Sequence, residues 1–272
     1  MKFEHTEVMN FEGALRGMRN PLNSWNKSDS FFGIVCDHEG DYAIDEVAYA
    51  WVEAEIKNLV ESNRDIDEIR DELYDKKTEW LSANGIRSMN YDHHYTANFI
   101  GPNDMNLVKR LIAGGTEHRK FLRQIMVSVD ITAPLYWWKE FDTYKVGTTA
   151  NSTSTMHKLA STPITLECFE TDDYNDHLSA LNERTLSTFV GAELIPYLEA
   201  LRQKYNETKD KRYWKELIRW LPNGWLQTRT VTMNYENLRS MYHQREHHKL
   251  TEWHSFCDWV KTLPYAQELI ID

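Results

Sequence analysis

The residues best suited to chemistry lie close together in one short polar stretch, residues 147–155. It reads Gly-Thr-Thr-Ala-Asn-Ser-Thr-Ser-Thr, so seven of its nine side chains carry a hydroxyl or an amide group. Small polar groups cannot form an apolar core, but together with backbone N–H groups they can hydrogen-bond a polar ligand. Composition alone favours a solvated surface loop, and a ligand-binding loop is the functional alternative.

A single arginine near the C-terminus is the second candidate. A stripe of apolar side chains repeats at helical spacing, formed by Tyr235, Leu238, Met241 and Tyr242. Arg245 continues this stripe, and a guanidinium on an apolar face is costly without an anion or a carboxylate partner. Arg245 could meet a ligand phosphate or carbonyl through its two-pronged fork. Alternatively, it closes the helix by bonding to the last carbonyls, or pairs with an internal glutamate.

Histidines elsewhere in the chain are candidates for a metal site. His243 and His247 would share a helical face if the helix continued between them, and His248 and Glu252 follow closely. A metal site needs several ligands at defined spacing, and no second cluster accompanies these residues. The adjacent histidines within residues 92–95 point to different faces, which is more typical of a surface loop than of ligands. No metal site is predicted.

The polar stretch follows a strand and a short helix that must position it. Residues 125–132 alternate between apolar and polar side chains, which predicts a half-buried strand. Pro134 suits the first position of a helix, because its φ angle is already helical and the N–H that it lacks would have no partner there. Trp137, Phe141 and Tyr144 then repeat at helical spacing and predict one apolar stripe.

Apolar spacing and turn residues predict the other elements. Two strong helices within residues 43–83 are interpreted as an added helical hairpin. Asn103 is expected to cap the helix that follows it. Residues 1–9 are expected to form an edge strand, and residues 21–36 and 89–99 to form loops. The remaining predicted helices cover residues 11–19, 103–112, 178–201 and 209–220, with a closing helix around the stripe Trp253, Phe256, Val260 and Leu263.

The order of strand, Ala-Pro, short aromatic helix and polar loop resembles the flavin-dependent thymidylate synthases, also called thymidylate synthase-complementing proteins. That family carries the pattern RHRxxSxNExSxRY directly after the helix. Laid on this chain without a gap, Lys145 keeps a positive charge, and Thr148 and Thr153 keep a hydroxyl. The pattern positions fall on Thr143, Tyr144, Lys145, Thr148, Ala150, Asn151, Thr153, Thr155 and Met156.

A second segment of the chain extends the resemblance. The family has Leu-Pro, a segment with an arginine, an asparagine and a helix that ends with an arginine, and these positions fall on Leu221, Pro222, Asn234 and Arg245. Glu236 stands where the family has a further arginine, which reverses the charge. A histidine-bearing turn before the central strand touches the flavin in the family, and His118 is its nearest counterpart.

The resemblance implies an α+β fold in one domain, residues 1–272, with a small mixed sheet surrounded by helices and the helical insertion at about 43–83. It implies transfer of a one-carbon group from folate to C5 of a pyrimidine deoxynucleotide such as dUMP, with FAD as cofactor and NADPH as reductant. A homologue that binds a nucleotide, or acts as a scaffold without flavin turnover, is the alternative. The implied nucleotide-binding residues are Glu140, Thr153, Ser154, Thr155 and Arg245, and the implied cofactor-binding residues are His118, Tyr144, Lys145, Asn151 and Asn234.

Composition narrows the classes of partner. The formal net charge of −11 argues against a surface that coats nucleic acid, although a mononucleotide needs only a local cluster of cations. The three cysteines lie far apart without a CxxC pair, which predicts neither a disulfide framework nor a structural zinc site. No apolar run is long enough for a membrane span or a signal peptide, so a cytoplasmic protein is expected.

We expect a homo-oligomer, most simply a tetramer. In the family the flavin sites are completed by several subunits, and the ten Trp and fourteen Tyr residues provide material for large interfaces. Light scattering should therefore give about four times the 32.2 kDa chain mass. A monomer at micromolar concentration would contradict this expectation.

Overall fold

The computed structural model describes residues 1–36, 87–89, 94–172 and 186–272. The expected hairpin at 43–83, Asp92, His93 and the first part of the expected helix 178–201 lie outside the described residues. The described strands are β1 Lys2–Met9, β2 Phe31–Cys36, β3 Arg87–Met89, β4 His94–Phe99, β5 Met126–Pro134, β6 Thr149–Ser152 and β7 Leu226–Asn234. The described α-helices are α1 Phe11–Arg19, α2 Pro102–Ala113, α3 Leu135–Phe141, α4 Thr155–Lys158, α5 Ile195–Thr208, α6 Lys211–Arg219, α7 Tyr235–Arg245 and α8 Thr251–Lys261, and two π-helical segments cover Leu186–Leu194 and Gln267–Ile271.

The fold is α+β. One sheet has the strand order β1-β5-β7-β6, and the other has the order β2-β4-β3. By its internal contacts the chain divides into two compact units: a first unit of Met1–Glu7 with Ser128–Thr232, and a second unit of Val8–Val127 with Met233–Asp272. The sequence had predicted one domain. No helix in the described part of the chain is long and apolar enough to cross a membrane.

Strand β5 confirms the alternation read from the sequence. Val129 and Ile131 are buried, whereas Asp130 and Thr132 on the other face are partly exposed. The prediction for Pro134 was wrong by one position. Pro134 ends β5 and precedes α3 with φ −70° and ψ 152°, so it has the φ angle of a helix but the ψ angle of a strand.

Strand β7 lies beside β5 and runs antiparallel to it. Leu135 N donates to Trp225 O at 3.0 Å, and the Thr132 and Thr228 hydroxyls lie 2.7 Å apart. Thr230 Oγ1 donates to Asp130 at 2.5 Å, so one strand ascends in number as the other descends. The sequence did not predict this strand. Its alternation is masked because an arginine takes one of the positions on the buried side.

Helix α3 fixes the start of the polar stretch through aromatic packing. Trp137 and Trp138 are fully buried, and the Trp137 ring stacks on Phe141 with centroids 5.1 Å apart. Trp138 Nε1 donates to Gln227 O at 2.9 Å, which ties the helix to β7. The helix ends at Phe141, so the prediction that Tyr144 continues its stripe was wrong. A hydrogen bond from Tyr144 N to Phe141 O forms a turn there instead.

Helices α5 and α6 pack over a smaller apolar cluster in the first unit. Helix α6 confirms the predicted basic-aromatic helix, and its N-terminus is capped by Asp210, which accepts from Arg212 N at 2.9 Å. The buried members of this cluster are Leu159, Ile164, Phe169, Leu198 and Leu217. Burying one such side chain stabilises the folded protein by about 1.5–3 kcal/mol relative to leaving it exposed.

In the second unit, α1, α7 and α8 present their apolar faces to a common core. The Phe11 ring meets Tyr235 edge to face at 5.6 Å, and it meets Tyr265 at 6.0 Å. The predicted apolar stripe of α7 and the closing stripe of α8 are both confirmed as buried, since their members Leu238, Met241, Trp253, Phe256 and Val260 are fully covered.

A buried ion pair joins α1 to α2 in the same unit. Arg19 Nε donates to Asp104 at 2.5 Å, and the two side chains are 5% and 0% exposed. Asp104 also accepts from Ser28 and Ser30, each at 2.5 Å. Asn103 does not cap α2 as predicted. The cap comes from Asp29, whose carboxylate accepts from the N–H groups of residues 103 and 104.

Two stretches that were predicted as loops contain strands. Phe31–Cys36 pairs antiparallel with His94–Phe99, in the register Phe31↔Phe99 to Cys36↔His94, and Arg87–Met89 pairs with the same strand. Neither stretch shows a clean apolar alternation in the sequence. Pairing with the partner strand therefore determines that these residues form strands, and the local pattern does not.

Glu199 on α5 generates a prediction about pH. Its carboxylate accepts from Arg202 at 2.6–2.7 Å and from Ile164 N at 2.9 Å, and Arg202 also donates to Ala160 O. The Arg202 contact, followed by the smaller backbone and Gln203 contacts, lowers the pKa of Glu199 from 4.5 to about 2 against the opposing effect of burial. Because the folded pKa lies below the unfolded one, the stabilisation is complete above about pH 4.5 and is lost as pH falls toward 2.

We expect Glu199→Gln to lower the free energy of unfolding by about 1–2 kcal/mol at pH 7. The difference from the parent protein should shrink as the pH falls below about 4.5. Urea denaturation between pH 7 and pH 3.5 measures this, with the more exposed Glu207→Gln as the control. A difference that stays constant down to pH 3.5 would contradict the assignment.

Candidate functional site

The polar stretch contains an edge strand and is not simply a loop. Thr149–Ser152 forms β6, which pairs antiparallel with β7 in the register Thr149↔Thr232 and Asn151↔Thr230. All four residues are exposed. The prediction of a solvated loop was therefore wrong for these residues in conformation, although it was right about their exposure. The pairing determines which side chains share a face.

One face of the β1-β5-β7-β6 sheet carries polar side chains on all four strands, and we call it the hydroxyl face. Asn151 and Thr149 lie on it because they oppose Thr230 and Thr232 in the β6–β7 register. The antiparallel β5–β7 pairing adds side chains from both inner strands. All of its members belong to the first unit: His5, Ser128, Asp130, Thr132, Thr149, Asn151, Thr228, Thr230 and Thr232.

Asp130 and His5 form an acid–imidazole pair on the hydroxyl face. The Asp130 carboxylate lies 3.1 Å from His5 Nδ1, and its other oxygen accepts from Thr230. The Thr230 hydrogen bond is the largest influence on the pKa of Asp130, and it lowers that pKa with help from His5 against partial burial. The His5 side chain is 81% exposed, so its imidazole contacts the carboxylate and solvent at the same time. The backbone of His5 has a φ of 52°. Such a pair can accept or return a proton.

Sequence reasoning did not identify this pair. Asp130 was read as the polar side of a strand, and its partner His5 is 125 positions away in the chain. No local pattern connects residues so far apart, and the sequence held no signal that could have found the pair.

The three predicted nucleotide-binding residues after β6 are held differently from one another. Thr153 is exposed, while its backbone N–H donates to Thr228 O at 2.9 Å and its carbonyl accepts from Gln227 Nε2 at 2.8 Å. Ser154 accepts from His157 N at 3.1 Å, so its hydroxyl caps α4. Thr155 begins that helix. Thr153 therefore combines a fixed backbone with an exposed hydroxyl.

Arg229 on β7 supports this segment from the opposite face of the sheet. Its guanidinium lies 4.2 Å from the centre of the Trp138 ring, and the side chain is 15% exposed. It donates to Gln227 Oε1 at 3.0 Å and to Asp142 at 2.6 Å. Gln227 in turn holds the Thr153 carbonyl, so Arg229 links the turn after α3 to the end of β6. Sequence reasoning noted an arginine in this segment and assigned it no role.

The remaining predicted residues of the first unit lie in or beside the turn between α3 and β6. Lys145 is exposed, and Tyr144 is half-buried with its ring 6.5 Å from that of Phe141. Glu140 is half-buried near the end of α3, where its carbonyl accepts from the Thr143 hydroxyl at 2.7 Å. Glu140, Tyr144 and Lys145 are neighbours in the sequence, so their proximity is local and needs no tertiary contact.

Three predicted site residues belong to the second unit. Asn234 caps α7 in a reciprocal capping box with Asn237, at 2.9 and 3.3 Å, and is 8% exposed. Arg245 is the last residue of α7, a position that both interpretations of this residue expected, and its guanidinium lies 4.7 Å from the centre of the Trp253 ring. His118 is exposed and lines a cavity of about 720 Å³, with its ring packed against Gly114.

The reversed charge at Glu236 is compensated by a residue that the sequence did not pair with it. Arg119 grips the Glu236 carboxylate with three contacts of 2.9–3.1 Å. Arg239 lies near this pair. Burial lowers the pKa of Arg239 most, the positive charge of Arg119 lowers it further, and Glu236 raises it. The local charge is therefore not negative, as Glu236 alone would suggest. Arg119 precedes β5 by a few residues, and only folding brings it to α7.

Two other chemistries find no support in the described residues. Helix α7 ends at Arg245, so His243 and His247 do not share a continuous helical face. Within residues 1–36, 87–89, 94–172 and 186–272, no group of three His, Cys, Asp or Glu side chains could hold a metal ion. Burial raises the pKa of the Cys257 thiol to about 11, so this cysteine is not a thiolate nucleophile at neutral pH.

Comparisons with known proteins add a distant likeness. No protein-family model matches the chain, and no curated protein matches it. Among solved structures, two of the flavin-dependent thymidylate synthase ThyX from Helicobacter pylori, both with FAD and dUMP, are similar. One has 17% identity and a TM-score of 0.45, and the other has 16% identity and a TM-score of 0.48. Each similarity covers 63% of this chain and 83% of the other.

The position of Arg229 generates a prediction about local stability. Replacing it with methionine removes the stacking on Trp138 and the contacts to Gln227 and Asp142, worth about 1–3 kcal/mol together. Amide hydrogens of residues 149–153 should then exchange about 10–100 times faster, because less free energy opposes local opening.

Hydrogen exchange with mass spectrometry measures this, and Arg219→Met on the exposed face of α6 is the matched control. Unchanged exchange at residues 149–153 in Arg229→Met would show that the segment is held by β7 pairing alone.

Proposed function

We propose that this chain binds a pyrimidine deoxynucleotide and transfers a one-carbon group to its C5 position, as a distant relative of the flavin-dependent thymidylate synthases. One observation carries the proposal. The two segments that resemble the family separately in sequence form neighbouring strands, with Thr132 and Thr228 in contact although 96 positions apart. Strand β5 leads through α3 to the polar stretch, and β7 ends at Asn234, the cap of the helix that bears Arg245.

The resemblance assigns the nucleotide a hydroxyl in the first unit and a guanidinium in the second. Thr153 presents its side chain to solvent from a fixed backbone, which suits a hydrogen bond to a phosphate or a sugar oxygen. A guanidinium can bind a phosphate through two parallel N–H donors, and that of Arg245 lies 4.7 Å from the centre of the Trp253 ring. The half-buried Glu140 and the helix start at Ser154 and Thr155 complete the proposed set.

The cofactor half fits FAD in part. Lys145 supplies one exposed cation for a pyrophosphate, Tyr144 an aromatic ring, and Asn151 an exposed amide on the hydroxyl face. In the second unit, His118 and Asn234 would contact the cofactor. Bound flavin would supply the electrons that convert a methylene group to a methyl group, while folate would bring the carbon and NADPH the reducing equivalents. The chain itself would bind, orient and exclude water.

A second candidate is a nucleotide-binding or scaffolding protein without flavin turnover. The observation that favours it is the scarcity of positive charge in the cofactor half. Thr143 and Tyr144 carry no charge where the family pattern has an arginine and a histidine. Glu236 stands where the family has a further arginine, and Arg119 is bonded to Glu236. Each lost charge-assisted contact is worth roughly 1.5–3 kcal/mol, so several losses would weaken FAD binding by orders of magnitude.

The two candidates differ in a simple observation. A purified protein that is yellow, with flavin absorbance, supports the enzyme, whereas a colourless protein that does not take up added FAD supports the binder. A homo-oligomer is proposed in both cases, because its subunits could share the binding residues.

Calorimetry with dUMP and with FAD separately tests the proposal. We expect detectable dUMP binding, and FAD binding that is weaker than in an ordinary member of the family. Arg245→Ala should weaken dUMP binding about 10–100-fold, the effect of losing one charge-assisted pair, while the protein remains folded. Arg245→Lys keeps the charge without the fork, so its affinity for dUMP should lie between those of the parent protein and Arg245→Ala.

Arg212→Ala is the matched control, since Arg212 is an exposed arginine on α6 that pairs with Asp210. Normal dUMP binding by Arg245→Ala would remove Arg245 from the site. Unfolding of both Arg245 variants would mean that the residue acts on stability through Trp253. Tight FAD binding without any nucleotide binding would show that the two halves are assigned the wrong way round.

A further inference from the structure

We propose that the cavity at His118 is a binding site for a small organic phosphate, a compound with a flat apolar ring and one or more phosphate groups. The cavity lies within the second unit, between α1, the segment that follows it, α2 and the turn before β5. His118 is also a proposed cofactor contact. The inference does not rest on the thymidylate synthase-like function, because the cations and the apolar side chains that carry it are residues that the family resemblance does not assign.

The size and floor of the cavity suit a ring-bearing ligand. Its volume of about 720 Å³ lies within the range of roughly 300–1,000 Å³ that small-molecule sites occupy. Met18 and Phe121 form a buried apolar floor, and Leu107 and Leu111 extend it. Amide and hydroxyl groups stand beside this floor, and they come from Asn23, Ser24, Asn26 and Gln124.

The rim of the cavity is cationic. Lys27, Arg110 and Lys120 all line it and are exposed, against a single carboxylate from Glu117. None of these three cations forms an ion pair with a carboxylate among the described residues, and Arg110 donates to the backbone carbonyl of Asn106 instead. In a chain with a net charge of −11, three such cations at one cavity form a local basic patch.

Lys27 and Arg110 also line a neighbouring cavity, which supports their role in the proposed site. A second cavity of about 460 Å³ is lined by the same two side chains together with Asn103, Asn106 and Leu107. The two cations therefore belong to both cavities, and a phosphate at Lys27 and Arg110 would have room on either side. Arginine binds phosphate through two parallel N–H donors, and lysine adds a compact charge.

The wall that carries Lys27 is fixed before any ligand arrives. Arg19 is buried in its ion pair with Asp104, and the rest of its guanidinium donates to Ser24 O at 3.3 Å and to Lys27 O at 3.0 Å. The segment from Asn20 to Lys27 is therefore tied to α2 by its backbone. Preorganisation of this kind lowers the ordering cost of binding.

The chemistry of the site favours a small phosphate over other anions. A long nucleic acid would meet the repulsion of the acidic chain beyond the patch, whereas a single nucleotide-sized molecule needs only the local cations. Inorganic phosphate alone would leave the apolar floor uncovered. A flavin and an adenine nucleotide share the required ring and phosphate, so both serve as probes.

Calorimetry with FMN, AMP and inorganic pyrophosphate tests the inference. We expect FMN or AMP to bind, and either one should bind at least tenfold more tightly than pyrophosphate, which cannot use the floor. Lys27→Glu and Arg110→Glu should each weaken that binding at least tenfold. Lys215→Glu, an equal charge change on α6 in the first unit, should leave it unchanged.

Circular dichroism checks that the variants fold, which we expect because the replaced side chains are exposed. The inference is overturned if neither FMN nor AMP binds up to millimolar concentration, if pyrophosphate binds as tightly as both, or if Lys27→Glu and Arg110→Glu bind like the parent protein. Arg245→Ala tests the proposed function, and because Arg245 does not line the cavity, this variant should bind FMN or AMP like the parent protein. Failure of one proposal is therefore distinguishable from failure of the other.

Discussion

The antiparallel pairing of β5 with β7 is the constraint on which the first unit depends. It places hydroxyls of the two strands opposite one another, with Thr132 and Thr228 at 2.7 Å, and brings Thr230 to Asp130. It also gives β7 a free edge for β6, so the polar stretch becomes ordered strand. On the buried side the same pairing sets Arg229 over Trp138. A one-residue slip would exchange the two faces and lose all of these contacts.

In the second unit a buried ion pair has a comparable role. Removing charges from water is costly, and the pair of Arg19 and Asp104 is tolerated because both remaining guanidinium nitrogens and the second carboxylate oxygen also have partners. Asp104 receives two serine hydroxyls, and Arg19 receives two backbone carbonyls. The consequence is functional as well as structural. The backbone held by Arg19 forms a wall of the cavity, so a stabilising contact also shapes the binding surface that we propose.

Charge is distributed unevenly for so acidic a chain. Arg119 neutralises Glu236, Arg229 is shared between Asp142 and Gln227, and Arg245 stacks on an aromatic ring. These arginines are positioned by partners. The three cations around the cavity have no carboxylate partner among the described residues, and this difference points to the cavity as a place for an external anion.

The sequence by itself determined the elements whose signal is local. The alternation of β5, the apolar stripes of α7 and α8 and the helix at residues 209–220 follow from spacing that burial on one face requires. Only the tertiary structure decided which strands are neighbours, that residues 149–152 are strand, and that His5 meets Asp130 from 125 positions away. Those choices depend on pairings between distant segments, whose hydrogen bonds form only after folding and leave no period in the sequence.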